Sequence, residues 1–188
     1  MTTITAPARD TLPTAGTWEI DPAHTSVEGT VRHLMVSKVR ARFTSFSGTV
    51  QVADDITDST VEVSIDARSI DTSNGDRDQH LRSPDFLDVE NHPTITFRSN
   101  AVQHVEGDRY QVPGTLTIRG VTKPVTLDVS YFGLQTDPYG NTKAGFEATA
   151  EFDRDDFDVN WNQALETGGV VVSKAVKVEL SVQLAPQG

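Results

Sequence analysis

The chain has no cysteine, which removes disulfides, thiolate nucleophiles and cysteine metal sites together and leaves its compartment open. Positive charge is scarce. The 27 acidic against 16 basic residues give a formal net charge of −11, a balance that repels nucleic-acid phosphates and anionic surfaces and favours solubility. No nucleic-acid partner is therefore expected. No stretch approaches the ~20 apolar residues of a membrane-spanning helix, so stable membrane insertion is not expected either. Residues 1–16 carry Thr, Ala and Pro without a basic start or an apolar core, so they do not read as a signal peptide, and a cytoplasmic location is the expectation. Cofactor motifs are missing as well. There is no Gly-x-Gly-x-x-Gly and no Walker sequence, and Gly168-Gly169 runs into Val170-Val171-Val172, which reads as a turn before a strand rather than the start of a phosphate-binding helix. No cofactor is expected.

What the chain does have is alternation. Apolar positions recur with a period of two at Val27, Gly29, Val31 and His33, at Val61, Val63 and Ile65, at Leu116 and Ile118, at Val125, Leu127, Val129 and Tyr131, and at Val176, Val178, Leu180 and Val182. Each set fits one face of a half-buried strand. Between them stand turn-forming groups such as Glu106-Gly107-Asp108, Arg119-Gly120 and Asp137-Pro138-Tyr139-Gly140-Asn141. The pattern predicts an all-β protein, a single antiparallel up-and-down barrel of roughly eight strands, because closure is what removes exposed strand edges. A sandwich is the alternative. A barrel of about that size is filled by its own side chains or holds one small ligand.

Two segments break the alternation. Ser73 or Asn74 can cap a short helix that must end before Ser83-Pro84, and residues 155–165, with Trp161 among them, form the second irregular piece. Both read as lids or plugs at a barrel end. The first fifteen residues are expected to form a disordered tail, and residues 16–186 the barrel domain.

Candidates for chemistry are few. The five histidines, His24, His33, His80, His92 and His104, show no pair at helical metal spacing, and His33, in phase with Val27 and Val31, reads as an inward core histidine. Ser83 near His80 and Asp85 has the residue types of a hydrolytic triad, but it precedes a proline and lies outside any Gly-x-Ser-x-Gly elbow. No catalytic residue is assigned. The charged run from Arg77 to Arg82 has two readings: a clamp of ion pairs and backbone bonds holding the helix to the sheet, or a ligand head-group contact at a pocket mouth.

The stretch Asp78-Gln79-His80-Leu81-Arg82-Ser83-Pro84-Asp85-Phe86-Leu87-Asp88 crowds charge, aromatic and proline into a non-strand pattern, with His92-Pro93-Thr94-Ile95-Thr96-Phe97 close behind. Together with Asp21-Pro22-Ala23-His24, His33-Leu34-Met35-Val36-Ser37-Lys38-Val39, Asn160-Trp161-Asn162 and Leu116-Thr117-Ile118-Arg119-Gly120-Val121, it resembles the YceI-like family. That resemblance implies an extended, lipocalin-like barrel whose internal pore holds a polyisoprenoid or similar amphiphile, with no established catalysis. Two positions depart from the family pattern: Gly29, where an aromatic is usual, and Ala41, where glycine is usual. Loss of an inward aromatic would widen the pore locally.

The expectation that follows is a barrel binding a long isoprenoid or related lipid, such as a quinone or polyprenyl tail, as a carrier or store. Its inward wall is expected to include Val27, Val31, His33, Phe43, Phe46, Val63 and Ile65 from the first half of the chain. Phe97, Leu116, Ile118, Phe146, Phe152 and Trp161 are expected from the second, with His33 and Arg77 as the polar contacts. Two other classes remain open: an enzyme acting on a small hydrophobic substrate, and a ligand-free interaction module with a filled barrel. Homodimerisation is compatible with all three.

Overall fold

The structure is a computed structural model that describes residues 11–188. The alternating segments become twelve strands: β1 (Gly16–Ile20), β2 (Ser26–His33), β3 (Ser37–Phe43), β4 (Phe46–Val52), β5 (Thr60–Asp66), β6 (Ile70–Asp71), β7 (Thr94–Ser99), β8 (Gln103–Glu106), β9 (Arg109–Ile118), β10 (Val121–Thr136), β11 (Thr142–Asp153) and β12 (Ala175–Pro186). Every pairing between them is antiparallel. The ring β1-β4-β5-β7-β9-β10-β11-β12 closes through a β1–β12 pairing, so the barrel has eight strands around it.

The twelve segments are eight long strands, of which the first four are bent. β12 pairs with β1 through Trp18↔Pro186 to Ile20↔Leu184, and with β2 through Lys177↔Thr30 to Ser181↔Ser26, so β1 and β2 are two halves of one strand. β3 and β4 are halves of the next, and β5 and β6 of the third, since β4 pairs with β5 while β3 pairs with β6. β7 and β8, which both pair with β9, are halves of the fourth, and the breaks of the second and third lie side by side and are hydrogen-bonded to each other. Asp66 caps the 3-10 turn Ala67–Ser69, and the Thr44 amide donates to the Ser69 carbonyl at 3.3 Å and to its hydroxyl at 3.1 Å. Such interruptions let a sheet bend sharply enough to close, which a run of regular strand resists.

Local chemistry explains the remaining elements. The helix α1 (Gly75–Arg82) begins where the Asn74 side chain accepts from the Arg77 amide at 3.0 Å and stops at Ser83, before Pro84. Arg119 and Gly120 both take positive φ, 50° and 74°, in the two-residue turn from β9 to β10. The second irregular segment holds a 3-10 turn, Arg154–Phe157, followed by non-helical chain up to β12. No helix among the described residues is long and apolar enough to cross a membrane.

Two apolar clusters sit at opposite ends of the strands. One gathers Leu12, Trp18, Val52, Tyr110, Tyr131, Ala144 and Leu184; the other gathers Ala67, Phe86, Val89, Ile95, Ile118, Phe157 and Val159. Of the expected tail, residues 1–10 lie outside the described residues, while Thr11 to Ala15 are docked on the barrel. Leu12 is buried in the first cluster, the Thr11 carbonyl accepts from the Tyr131 hydroxyl at 2.6 Å, and the Thr14 carbonyl accepts from the Trp18 indole at 2.9 Å.

Candidate functional site

Between the two clusters lies an internal cavity of about 600 Å³, bounded by side chains from nearly every strand. The period-two faces supply most of its wall, because in a closed barrel the face turned from solvent is turned toward the axis. Val27, Val31 and His33 of β2 and Phe43 of β3 line one side; Val63 and Ile65 of β5 and Phe97 of β7 line another. Leu116 and Ile118 of β9 and Phe146 and Phe152 of β11 continue it, and Arg77 and Trp161 border it from the helix and the last loop.

Phe46 is the exception. It lies just past the Thr44–Ser45 break, and it borders a shallow polar depression with Ser47, Ser64, Asp66, Arg68 and Thr94 instead of the cavity. Phe46 stands opposite Ile65 and shares the phase of Val50 and Val52, all three of them cavity residues, so it differs from them in its place along the strand, at the Thr44–Ser45 break, and not in the face it occupies.

Gly29 and Ala41, the two positions that depart from the family pattern, stand opposite each other across β2 and β3, and both line the cavity. A Cβ on Gly29 would meet only Val176 Cγ1, at 3.7 Å, so the wall is thin there for want of side chain.

Polar groups reach the cavity mainly at its two ends. At the helical end, Arg77 donates from Nε to Thr72 Oγ1 at 2.7 Å and from Nη2 to the Thr72 carbonyl at 2.9 Å. Asp78, buried, accepts from the Thr72 amide at 2.8 Å and its hydroxyl at 2.6 Å, while Arg82 donates to the carbonyls of Arg68 and Ile70, both at 2.8 Å. These bonds tie the helix to the strand before it, which is the clamp geometry. The Ser83 hydroxyl donates to the His80 carbonyl at 2.6 Å, whereas a triad serine would bond the imidazole. The His80 ring instead pairs with Asp85 Oδ2 at 2.8 Å and meets Trp161 and Phe86 edge to face, with centroids 4.8 and 5.0 Å away. Among the described residues no three histidine, aspartate or glutamate side chains gather as a metal site.

Arg154 and Tyr110 are cavity residues that the sequence reading missed. Arg154 is 4% exposed, and its guanidinium donates to the carbonyls of Ser173, Val159, Trp161 and Val172 at 2.9, 2.7, 2.9 and 3.3 Å. Burial draws its pKa down, against the opposing pull of Asp155 and Asp153. Its neighbours Asp153, Asp155 and Asp156 disguise it as part of a solvated charged run. Tyr110 lies at the opposite end, 7% exposed, and its hydroxyl is the one buried side-chain polar atom among the described residues with no hydrogen-bond partner. Burial pushes its phenol pKa up, with the Asp108 charge adding to the shift, so the group stays a neutral donor. It lies in phase with Leu116 and Ile118 on β9, and the intervening Pro113-Gly114 pair obscures that phase in the sequence.

The comparisons with known proteins agree with this architecture. The model of the YceI-like domain matches residues 18–184. The chain belongs to the YceI-like family. Among its relatives, a UPF0312 protein of Staphylococcus epidermidis is 38% identical over 172 residues, covering 89% of this chain and 96% of that one. A UPF0312 protein of Staphylococcus aureus is 40% identical over 169 residues, covering 88% and 95%. Solved YceI-like barrels superpose over most of their length. Burkholderia cenocepacia BcnA does so with a TM-score of 0.76 at 22% identity, covering 87% of this chain and 98% of that one. The Campylobacter jejuni YCEI protein gives 0.71 at 26%, covering 84% and 90%. A polyisoprenoid binding domain from Saccharophagus degradans gives 0.67 at 15% identity, covering 90% and 98%.

Proposed function

We propose that this YceI-like protein binds a long-chain isoprenoid or related amphiphilic lipid inside the barrel and serves as its carrier or store. The observation that carries the reading is the cavity itself, about 600 Å³ and walled along its length by Val, Ile, Leu and Phe. That volume lies within the ordinary range of small-molecule sites. Each buried methylene contributes about 0.8 kcal/mol, so a tail of about ten carbons outweighs a substantial association cost without any reactive group. The Saccharophagus degradans neighbour, described as a polyisoprenoid binding domain, supports this reading. The unspent Tyr110 hydroxyl favours a ligand that also carries an oxygen function, since a bonded phenol in that apolar end is more stable than an orphaned one.

The test is mass spectrometry of an organic extract from protein purified out of a lipid-containing host, beside a mock purification and the variants Phe97→Asp and Phe152→Asp. A stoichiometric isoprenoid or fatty amphiphile in the wild type, depleted in folded variants, is the expected result. A clean wild-type extract with a native mass equal to the bare chain would defeat the proposal and favour a filled interaction module; undiminished lipid in both folded variants would remove these residues from the wall.

A further inference from the structure

Charge is unevenly spread over this acidic chain. Residues 29–53 contain Arg32, Lys38, Arg40 and Arg42 and no acidic residue, against a net charge of −11 for the whole. The hairpin of β2 and β3 turns these side chains away from the cavity, because the residues alternating with them, Val31, Val39 and Ala41, line it. Arg32 stands directly opposite Lys38, and Thr30 lies between Arg40 on one side and Lys177 of β12 on the other. Arg42 is paired with Asp71 at 3.0 Å, but among the described residues Arg32, Lys38, Arg40 and Lys177 have no carboxylate within ion-pair distance. Like charges facing each other across a ladder repel, so this arrangement is relieved by an external anion.

The same hairpin ends in an apolar tip. Leu34, Met35 and Val36 are 44%, 60% and 79% exposed, three consecutive members of the short set of large hydrophobic side chains left in solvent. Leu34 and Met35 take φ of 53° and 61°, a conformation that two-residue hairpins ordinarily fill with Asn-Gly. Holding two apolar residues there works against both backbone preference and hydration, a conflict characteristic of interaction sites. The tip is also held in place. The Leu34 amide donates to the Val171 carbonyl at 2.8 Å and His33 bridges to Val172, and His33, Val39, Val171 and Val172 all line the cavity. The lipid cavity therefore reaches the base of the projecting hairpin.

We propose that the β2–β3 hairpin docks the protein on an anionic lipid bilayer, with Leu34, Met35 and Val36 entering the head-group boundary and Arg32, Lys38, Arg40 and Lys177 meeting the lipid phosphates. An apolar tip within a basic collar is the chemistry that a charged membrane surface recognises. Glu151 of β11, opposite Lys177, and Glu28 of β2, opposite Arg42, bound the collar, so attraction is confined to the hairpin face and the charge asymmetry orients the molecule as well as attracting it. The inference rests on the lipid-binding reading: a cargo insoluble in water is passed most readily where the bilayer touches the container that holds it.

Vesicle flotation with the full chain tests it, using phosphatidylcholine vesicles with and without phosphatidylglycerol. The expected result is flotation with the anionic vesicles only, weakened by salt, and a loss of about tenfold or more in both the Met35→Asp/Val36→Asp and the Arg32→Glu/Lys38→Glu double variants. All four substitutions are at exposed positions, and matching far-ultraviolet dichroism would establish that the variants are folded. Absence of flotation by the wild type, or flotation unchanged in both variants, would overturn the proposal. Loss in the charge variant alone would also overturn it, since a tip that carries two aspartates without effect does not enter the head-group boundary. The wild-type organic extract is read separately, so an empty cavity with intact flotation would count against the cargo and not against the docking surface.

Discussion

The ring of Phe97 occupies the space that a side chain on Gly114 would need: a Cβ there would lie 2.5 Å from Phe97 Cζ and 2.5 Å from the Arg98 carbonyl oxygen. The glycine therefore serves close packing between β7 and β9, and its φ lies outside the left-handed region. Gly114→Ala must move either a strand or the ring, and the ring faces the cavity. The expected cost is about 1–3 kcal/mol, read as a lower urea midpoint at unchanged slope, with less lipid in the extract. An unaltered midpoint would show that the wall yields there.

Gly29→Leu should act in the opposite way. The backbone admits a side chain, the only near neighbour is Val176 Cγ1 at 3.7 Å, and the new atoms enter the cavity opposite Ala41. Thermal stability is expected to hold or rise by about 1–2 kcal/mol, since the leucine fills space, while the bound lipid becomes shorter or is lost. Retention of the wild-type lipid at full occupancy would place the tail elsewhere in the cavity.

Arg154 gives a sharper test of chemistry than of volume. Its fork serves four carbonyls from the last loop, and a lysine in its place has three donors on a single nitrogen and cannot reach that spread. Arg154→Lys is expected to cost about 1–3 kcal/mol through at least one buried carbonyl left unbonded. Hydrogen exchange should show early loss of protection at Val171 and Ser173, whose amides donate to the carbonyls of Gln163 in that loop and of Arg32 in β2. Full protection there would mean that the loop is held by other contacts.

Tyr131 sets an alkaline limit. Its phenol is pushed up to about 12 from 10.0 by burial, with Tyr110 and Asp108 adding to the shift. The folded state thus favours the neutral form, so this contribution is complete below about pH 10 and disappears as the pH rises through about 12. Tyr131→Phe, which loses the bond to the Thr11 carbonyl, should be less stable than wild type by about 1 kcal/mol at neutral pH. The gap should close between pH 10 and 12. Denaturation at stepped pH, with phenolate absorbance followed in parallel, checks this; a constant gap would show that Tyr131 ionises without cost in the folded barrel.

Much of the architecture was legible because its signals are local. The period of two marked the strands, Asn74 and Pro84 marked both ends of the helix, and Arg119-Gly120 marked a turn, each through chemistry acting within a few residues. The cavity wall followed for the same reason: once a sheet closes, the inward phase of a strand is the cavity phase, and Val27, Val31, Val63, Phe97 and Leu116 needed only that rule.

What failed was whatever depended on distant chain. Phe46 keeps the phase of the cavity residues Val50 and Val52 but lies beside the break that Ser69 stitches, distant in sequence and adjacent only in the folded sheet, and there it borders a separate depression. Arg154 sits among aspartates, and only the return of residues 159–173 over it supplies the carbonyls that make its burial tolerable. Alternation, caps and turns were thus determined by the sequence itself, because backbone and side-chain preferences act locally. The bends of the first four strands, the burial of Arg154, the orphaned Tyr110 hydroxyl and the meeting of an apolar hairpin tip with the cavity rim were decided by tertiary structure, because each is a property of surfaces that only closure of the barrel brings together.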